Sequence, residues 1–208
     1  MALIIELIKH LDGEYKIISC CSDIAPCNDC RFCWKNDGCS INDEMQEVYE
    51  YLNKCDNVVI ASPIWFSCLS GPILNIASRL QTLYCSRVFR KITKEPNKNG
   101  VIILVGGEGT DSGTETTPIK TALTIMRNMS VKIPSIATIC SLDTNNIPAK
   151  YDEIALESVR KAASLLNNLY ANKQKNENIF TSRVQIHPRK RCMDLNRPTF
   201  PQYRHSLV

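Results

Sequence analysis

Residues 57–61, with the sequence NVVIA, form a continuous apolar run. Such runs are typical of strands that are buried on both faces of a parallel sheet, because neither face of the strand carries polar residues. Residues 100–105, GVIILV, form a second buried strand of this kind, and residues 136–140 form a third, shorter one. These three runs therefore predict the centre of a parallel sheet.

Segments with helical periodicity separate the strands. The apolar spacing and the capping residues predict helices at 2–11, 43–52, 72–84, 119–128 and 151–171, and a short strand at 15–20. Alternating strands and helices indicate an α/β fold with three layers and a parallel sheet. Ligands of such sheets bind beyond the carboxyl ends of the strands, so we expect one site built from three loops that follow strands.

Two of these loops contain residue types that surround planar cofactors. Ser62, Pro63, Ile64, Trp65, Phe66 and Ser67 combine hydroxyls, backbone donors and aromatic rings. Gly106, Gly107, Glu108 and Gly109 allow close approach of a ligand to the backbone. Against this, the aromatic rings could instead pack under the next helix, and the glycines could only turn the chain. The glycine loop matches neither the Walker nor the Rossmann pattern.

The third loop is rich in cysteine. Residues 26–40, PCNDCRFCWKNDGCS, place Cys27, Cys30, Cys33 and Cys39 in the pattern C-x2-C-x2-C-x5-C. Four thiols in one short polar loop match the ligand set of an iron–sulfur cluster, which is the leading interpretation. Zinc remains a competing interpretation, although its four-cysteine sites usually join two distant C-x2-C pairs. A disulfide framework or ordinary buried cysteines would also account for the four residues.

Composition limits the class of protein. The chain has 208 residues, of which 44% are hydrophobic, and a formal net charge of +4. These values predict one domain at 1–171 with a basic, proline-containing arm at 172–208, and they do not indicate binding to nucleic acid or a membrane. Eleven cysteines without a recognisable export signal indicate a reducing, cytoplasmic environment.

Three stretches resemble a known family. Residues 27–45, 57–75 and 105–116 (CNDCRFCWKNDGCSINDEM, NVVIASPIWFSCLSGPILN and VGGEGTDSGTET) are similar to the iron–sulfur flavoprotein branch of the NADPH-dependent FMN reductase-like proteins, which have a flavodoxin-like fold. The resemblance implies a [4Fe-4S] cluster on the four cysteines and FMN, whose flavin contacts Ser62–Ser67 and lies beside Gly106–Glu115. It also implies an electron carrier, usually a homo-oligomer, that passes electrons between a partner protein or small molecule, the flavin and the cluster, with NAD(P)H as a possible donor.

The sequence departs from this family in two places. Family members begin with a strand and a Ser/Gly-rich loop for the FMN phosphate, whereas this sequence starts inside the first helix, so we expect a flavodoxin-like sheet without its first strand. Ser78-Arg79 stands where relatives tend to have Asp-Arg. Two competing hypotheses are an NAD(P)H-dependent flavin or quinone reductase without a cluster, and a non-enzymatic metal-binding or interaction protein. No catalytic residue is identified.

Overall fold

The computed structural model describes residues 1–19, 24–92, 96–109, 113–133 and 135–183, with side chains up to residue 173. Helices and strands follow one another in the order α1 (Ala2–Lys9), α2 (Phe32–Lys35), α3 (Met45–Lys54), β1 (Asn57–Trp65), β2 (Cys68–Leu69), α4 (Gly71–Arg79), α5 (Gln81–Val88), β3 (Asn99–Val105), α6 (Thr116–Asn128), β4 (Ala137–Ser141) and α7 (Glu153–Arg183).

The four strands form one sheet in the order β2-β1-β3-β4. β1 runs parallel to β3, with Asn57 opposite Asn99 and Pro63 opposite Val105, and β3 runs parallel to β4. β2 is a two-residue strand that pairs antiparallel with the end of β1. The α/β class and the three predicted parallel strands are confirmed.

The sheet is covered on both faces. Along β3, alternate side chains face opposite layers, as the strand period of two requires. Val101 and Ile103 pack with residues of α1 and α7, whereas Ile102 and Leu104 pack with residues of α3 and α6. This arrangement is the predicted three-layer sandwich, and it leaves the carboxyl edge of the parallel strands to be formed by loops.

The predicted strand at 15–20 is wrong over its described part. Tyr15–Ser19 belong to no strand, and Cys20 lies outside the described residues. Tyr15 is 60% exposed and Ile17 is 48% exposed, so this segment is not built into the sheet. The described part of the chain contains no strand before β1 and none that pairs with the free edge of Asn57–Pro63. An extended segment becomes a strand only where a neighbour accepts its hydrogen bonds, and here no such neighbour is described.

Three helical boundaries differ from the sequence-based expectation. The predicted helix at 72–84 is two helices, α4 and α5, which meet at Leu80. A further short helix, α2, lies inside the cysteine loop. The predicted helix at 151–171 instead ends at Arg183, because the residues after Ala171 include no glycine or proline that would stop it.

The chain divides into two compact units, Met1–Asn172 and Lys173–Val208. The sheet lies within the first unit. The described part of the second unit is the end of α7, and residues 184–208 of the predicted arm lie outside the described residues. Among the described helices, none combines the length and apolar character that a bilayer-spanning segment needs.

Candidate functional site

A buried arginine anchors both ends of the cysteine loop. Arg79, the last residue of α4, is 1% exposed. Its guanidinium donates to the carbonyl oxygen of Ala25 at 2.9 Å and to that of Ile41 at 3.1 Å. It also binds both carboxylate oxygens of Asp43, at 2.6 and 3.0 Å. Because Ala25 and Ile41 flank the four cysteines in the sequence, one side chain closes the loop at its base.

Asp43 completes this anchor. Its carboxylate accepts hydrogen bonds from the backbone amides of Ala25 at 3.2 Å and Met45 at 3.1 Å, so it also caps the start of α3. Burial alone would raise the pKa of Asp43, but its hydrogen bonds to Arg79 and to these amides lower the pKa below its ordinary value. The carboxylate is therefore charged, as a bidentate partner of arginine must be.

The far side of the cysteine loop is docked on α5. Trp34 stacks on Phe89, with ring centroids 4.5 Å apart. The Thr82 hydroxyl donates to the carbonyl oxygen of Gly38 at 2.8 Å. Arg90 donates to the Asn36 carbonyl oxygen and, at 2.9 Å, to the carboxylate of Asp37. The loop is thus held by the scaffold at several points although it has no core of its own.

The four predicted ligands line one cavity. Cys27, Cys30, Cys33 and Cys39 surround it together with Arg79, Thr82 and residues of α2. The loop reaches this shape through two left-handed residues, Asp29 with φ 52° and Arg31 with φ 59°. Non-glycine residues rarely adopt this conformation, and they are concentrated at functional sites. The structure thus places the four cysteines around one cavity, and their role as ligands of a common centre stays a prediction.

Three of these thiols have a polar side-chain neighbour. The hydroxyl of Ser40 lies 3.2 Å from the Cys30 sulfur, and this contact lowers the pKa of Cys30. Burial, followed by a hydrogen bond to the fully buried Cys85, raises the pKa of Cys33 to about 11. Burial alone would lower the pKa of Arg79, but its bonds to Asp43 and then to the Cys39 sulfur raise it overall.

Four thiols are a donor set that both zinc and an iron–sulfur cluster accept. Within the described residues, no three His, Cys, Asp or Glu side chains converge closely enough to hold one metal ion. A tetrahedral zinc site with Zn–S bonds of about 2.3 Å needs sulfurs about 3.8 Å apart. An iron–sulfur cluster takes thiolate ligands on separate irons and so spreads its sulfurs around a larger centre. A raised thiol pKa does not prevent such binding, because a coordinating metal removes the proton.

The predicted loop Ser62–Ser67 is mostly strand and ends in a strained turn. Ser62–Trp65 continue β1, and only Phe66 and Ser67 form the turn to β2. Both turn residues have positive φ, 50° and 54°, as a two-residue type I′ hairpin requires. Trp65 is 58% exposed and the Phe66 side chain is fully exposed. Packing of these rings under the next helix is therefore excluded, and the rings are available to a planar ligand.

Ser62 has a structural role in this hairpin. It is buried, its hydroxyl donates to the Pro63 carbonyl oxygen at 2.7 Å, and it accepts a hydrogen bond from the Ser70 amide at 3.0 Å. Because the Ser62 hydroxyl both donates and accepts a hydrogen bond within the hairpin, it supports the hairpin rather than offering a free polar group to a ligand. Its place among the predicted cofactor contacts stays a prediction.

The Gly106–Gly109 loop is held against the residues after β4. The Gly106 amide donates to Ser141 at 2.8 Å, the Gly109 amide to Leu142 at 2.7 Å, and the Asn145 side chain to the Gly107 carbonyl at 2.8 Å. A Cβ atom at Gly107 would lie 2.7 Å from the Asn145 amide nitrogen, and one at Gly106 would lie 3.6 Å from Ile64. A side chain at 107 would push aside the Asn145 amide that binds this loop, and the loop lies beside the end of β1.

Only two of the three predicted loops are shown in contact. Ile64 joins the hairpin to the glycine loop. The described lining of the cysteine cavity comes from the cysteine loop, α4 and α5, and it includes no residue of Ser62–Ser67 or Gly106–Gly109. The structure therefore describes a cysteine cavity and, separately, an edge of the sheet formed by the hairpin and the glycine loop.

Sequence reasoning missed the residues that hold the cysteine loop. Arg79 has a detectable signal, because it shares the apolar helical face of Ile76, Leu80 and Leu83, where an arginine needs a buried partner. The sequence identifies Asp43 only as a helix cap. It indicates a core position for Cys85, which is buried, but no sequence pattern relates Cys85 to Cys33.

Comparison with known proteins identifies a family and named relatives. A model of the family described as NADPH-dependent FMN reductase matches residues 1–136. Two relatives named iron-sulfur flavoprotein, from Methanosarcina thermophila and Archaeoglobus fulgidus, are 32% and 33% identical over 87 residues. Each match covers 41% of this chain and 42% of the relative, so the chain spans less than half the length of either protein.

A solved structure supports the fold. The crystal structure of an azoreductase from Bacillus anthracis str. Sterne aligns with a TM-score of 0.52 at 14% identity, covering 80% of this chain and 88% of the azoreductase. At this identity the likeness concerns the arrangement of strands and helices. It agrees with the three-layer sandwich and the flavodoxin-like sheet.

The buried ion pair predicts the response to loss of Arg79. We expect Arg79→Met to lower the free energy of unfolding by about 3–5 kcal/mol, because Asp43 would remain buried without its partner. Arg87→Met is the matched control: Arg87 donates to the neutral side chain of Asn128 at 2.7 Å, so we expect a loss of about 1 kcal/mol. Urea unfolding followed by circular dichroism measures both. Equal losses in the two variants would contradict the anchoring role of Arg79.

Proposed function

Since this chain belongs to the NADPH-dependent FMN reductase family, we propose that it is a flavin-dependent oxidoreductase of the iron–sulfur flavoprotein type, transferring electrons through FMN and a [4Fe-4S] cluster. The observation that carries this proposal is that Cys27, Cys30, Cys33 and Cys39 line one cavity. The names of the two iron-sulfur flavoproteins that match part of the chain support it.

In this proposal the four cysteines hold the cluster as thiolates. Arg79 brings a cation to the cavity, and the ion pair with Asp43 prevents that cation from moving away. Trp34 shields one side of α2 by stacking on Phe89. When bound, the cluster and the flavin supply the redox chemistry. The protein contributes the ligands, their orientation and the local charge.

The flavin ring of FMN is assigned to the hairpin and the glycine loop. Pro63, Ile64, Trp65, Phe66 and Ser67 offer apolar and aromatic surface at the end of β1. Gly106, Gly107, Glu108 and Gly109 bring backbone close to the same edge, because Asn145 holds this loop in place. The pairing of Trp65 with Cys68 and the hydrogen bond between the Ser70 amide and Ser62 hold the hairpin in this geometry. Residues for the FMN phosphate are not assigned.

The same proposal includes an electron donor, an electron acceptor and an oligomeric state. NAD(P)H is a possible electron donor, and a partner protein or a small molecule accepts the electrons. A homo-oligomer in the cytoplasm is proposed on the resemblance to the iron–sulfur flavoproteins.

The visible spectrum of protein purified under anaerobic conditions tests the proposal. We expect flavin bands together with a broad iron–sulfur shoulder that bleaches on reduction. Flavin bands alone would indicate a flavin or quinone reductase without a cluster. A colourless protein that binds neither added FMN nor iron and sulfide would reject both cofactors and favour a non-enzymatic protein.

Removal of one predicted ligand tests the cysteine assignment. We expect Cys30→Ala to lose most of its iron and acid-labile sulfide while keeping the circular dichroism spectrum of the parent, because α/β packing does not depend on this loop residue. The matched control is Cys55→Ala, since the Cys55 thiol contacts the Leu52 carbonyl oxygen of its own helix. Iron content equal to that of the parent in Cys30→Ala would refute the assignment.

Removal of one exposed ring tests the flavin assignment. We expect Trp65→Ala to weaken FMN binding by about 2- to 12-fold, because a stacked aromatic contact contributes about 0.5–1.5 kcal/mol. Titration of apoprotein into FMN, followed by quenching of flavin fluorescence, measures the affinity. Tyr151→Ala is the control, because Tyr151 is 63% exposed and lies outside both loops. An unchanged affinity in Trp65→Ala would place the flavin elsewhere.

A further inference from the structure

The glycine loop, Gly106–Gly109, is held on one side by the residues that follow β4. The carbonyl oxygen of Gly106 accepts hydrogen bonds from the Thr144 backbone amide at 2.9 Å and from the Thr144 hydroxyl at 2.8 Å. The carbonyl oxygen of Gly107 accepts a hydrogen bond from the Asn145 side-chain amide at 2.8 Å. Two consecutive carbonyl oxygens of the loop therefore point towards the same short segment.

The direction of these carbonyl groups fixes the direction of two backbone amides. A trans peptide unit is planar, and its C=O and N–H bonds point in opposite directions. The Gly106 carbonyl belongs to the same peptide unit as the Gly107 amide, and the Gly107 carbonyl to the same unit as the Glu108 amide. Both N–H groups therefore point away from Thr144 and Asn145.

This pair of amides is free to bind a ligand. The amides of Gly106 and Gly109, on either side of the pair, donate to carbonyl oxygens at the end of β4 and just after it, at 2.8 and 2.7 Å. Within the described residues, neither the Gly107 amide nor the Glu108 amide donates a hydrogen bond. Two neighbouring amides that point the same way bind oxygen atoms with partial or full negative charge.

The order of the strands places this pair beside the hairpin. In the sheet, β3 lies between β1 and β4. The glycine loop follows β3, Thr144 and Asn145 lie beyond β4, and the hairpin follows β1. N–H groups that point away from the β4 side therefore point towards the hairpin side, where the rings of Trp65 and Phe66 are exposed.

We propose that Thr144 and Asn145 are positioning residues of the flavin site. They hold two carbonyl oxygens of the glycine loop and so turn the N–H groups of Gly107 and Glu108 towards a carbonyl oxygen of the flavin ring. The pyrimidine part of that ring carries carbonyl oxygens at its edge, and they accept hydrogen bonds. This inference rests on the proposed function, because it needs FMN to bind between the hairpin and the glycine loop.

Two substitutions remove the side-chain donors one at a time. Thr144→Val removes the hydroxyl at nearly constant volume, and Asn145→Ala removes the side-chain amide, while the backbone bond from residue 144 remains in both. We expect each variant to bind FMN about 2- to 12-fold more weakly, because a peptide unit that can turn away loses the equivalent of one hydrogen bond to the flavin. Titration of the full-length apoprotein into FMN, followed by flavin fluorescence, measures the affinity.

Conservative and neighbouring variants separate positioning from packing. Thr144→Ser keeps the hydroxyl donor, so we expect its affinity for FMN to stay near that of the parent. Asn146→Ala is the matched control for Asn145→Ala, because the Asn146 side chain bonds to Asp143 and not to the glycine loop. Thr121→Val is the control for the loss of a hydroxyl, because this hydroxyl bonds to a carbonyl oxygen of its own helix. We expect no change in either control.

Hydrogen exchange of individual amides, followed by nuclear magnetic resonance, gives a readout that packing alone would not change. We expect the amides of Gly107 and Glu108 to exchange rapidly in the FMN-free protein and to be protected when FMN is bound. The Gly106 amide is the internal reference, because it is bonded within the protein and should be protected in both states. In Asn145→Ala we expect the FMN-dependent protection of Glu108 to decrease.

The outcomes distinguish this inference from the proposed function. Parent protein that does not bind added FMN would overturn the proposed function, and this inference with it. Parent protein that binds FMN, with unchanged affinity in both Thr144→Val and Asn145→Ala, would overturn the inference alone. FMN-bound protein in which Gly107 and Glu108 exchange at their FMN-free rates would do the same. Equal losses of affinity in Thr144→Ser and Thr144→Val would also overturn it, because the methyl group and not the hydroxyl would then matter.

Discussion

The structure of the cysteine loop depends on one buried cation. The loop has no core, and its polar residues cannot be packed as apolar side chains are. Arg79 holds the loop in place by binding Asp43 and the carbonyl oxygens of Ala25 and Ile41 at the same time. The pair is buried and charged, so removal of one partner would cost far more than a surface ion pair contributes. The loop and the start of α3 are therefore anchored to the end of α4 as one unit.

Backbone strain is found in the hairpin at the end of β1. Phe66 and Ser67 both adopt left-handed backbone conformations, although neither is glycine. Ser62 offsets part of this cost by bonding across the hairpin to the Ser70 amide. The result is a hairpin end at which the rings of Trp65 and Phe66 stay exposed, an arrangement that a stability argument alone does not favour. The hairpin lies at the carboxyl end of a parallel strand, where the ligands of open α/β sheets bind.

The sequence predicted the sheet more successfully than the contacts around the loops. Apolar runs such as Val101–Leu104 identify buried strands because burial on both faces leaves a direct pattern in the residues. Tyr15–Ser19 have strand-like composition, yet strand formation depends on a neighbour that local pattern does not contain. The contacts of Cys85 with Cys33 and of Arg79 with Asp43 join residues far apart in the chain, and periodicity carries no information about them.

The carbonyl oxygens of the cysteine loop accept hydrogen bonds from side chains outside the loop. Gln46 donates to the carbonyl oxygens of Cys39 and Ile41, Thr82 to that of Gly38, and Arg90 to that of Asn36. A carbonyl oxygen engaged by a donor presents less negative charge to neighbouring sulfurs. Gln46 lies on α3, Thr82 lies on α5 and Arg90 follows α5, so these donors come from outside the cysteine loop. In the proposed cluster site four thiolates would repel one another and the peptide carbonyls, and these donors would offset part of that repulsion.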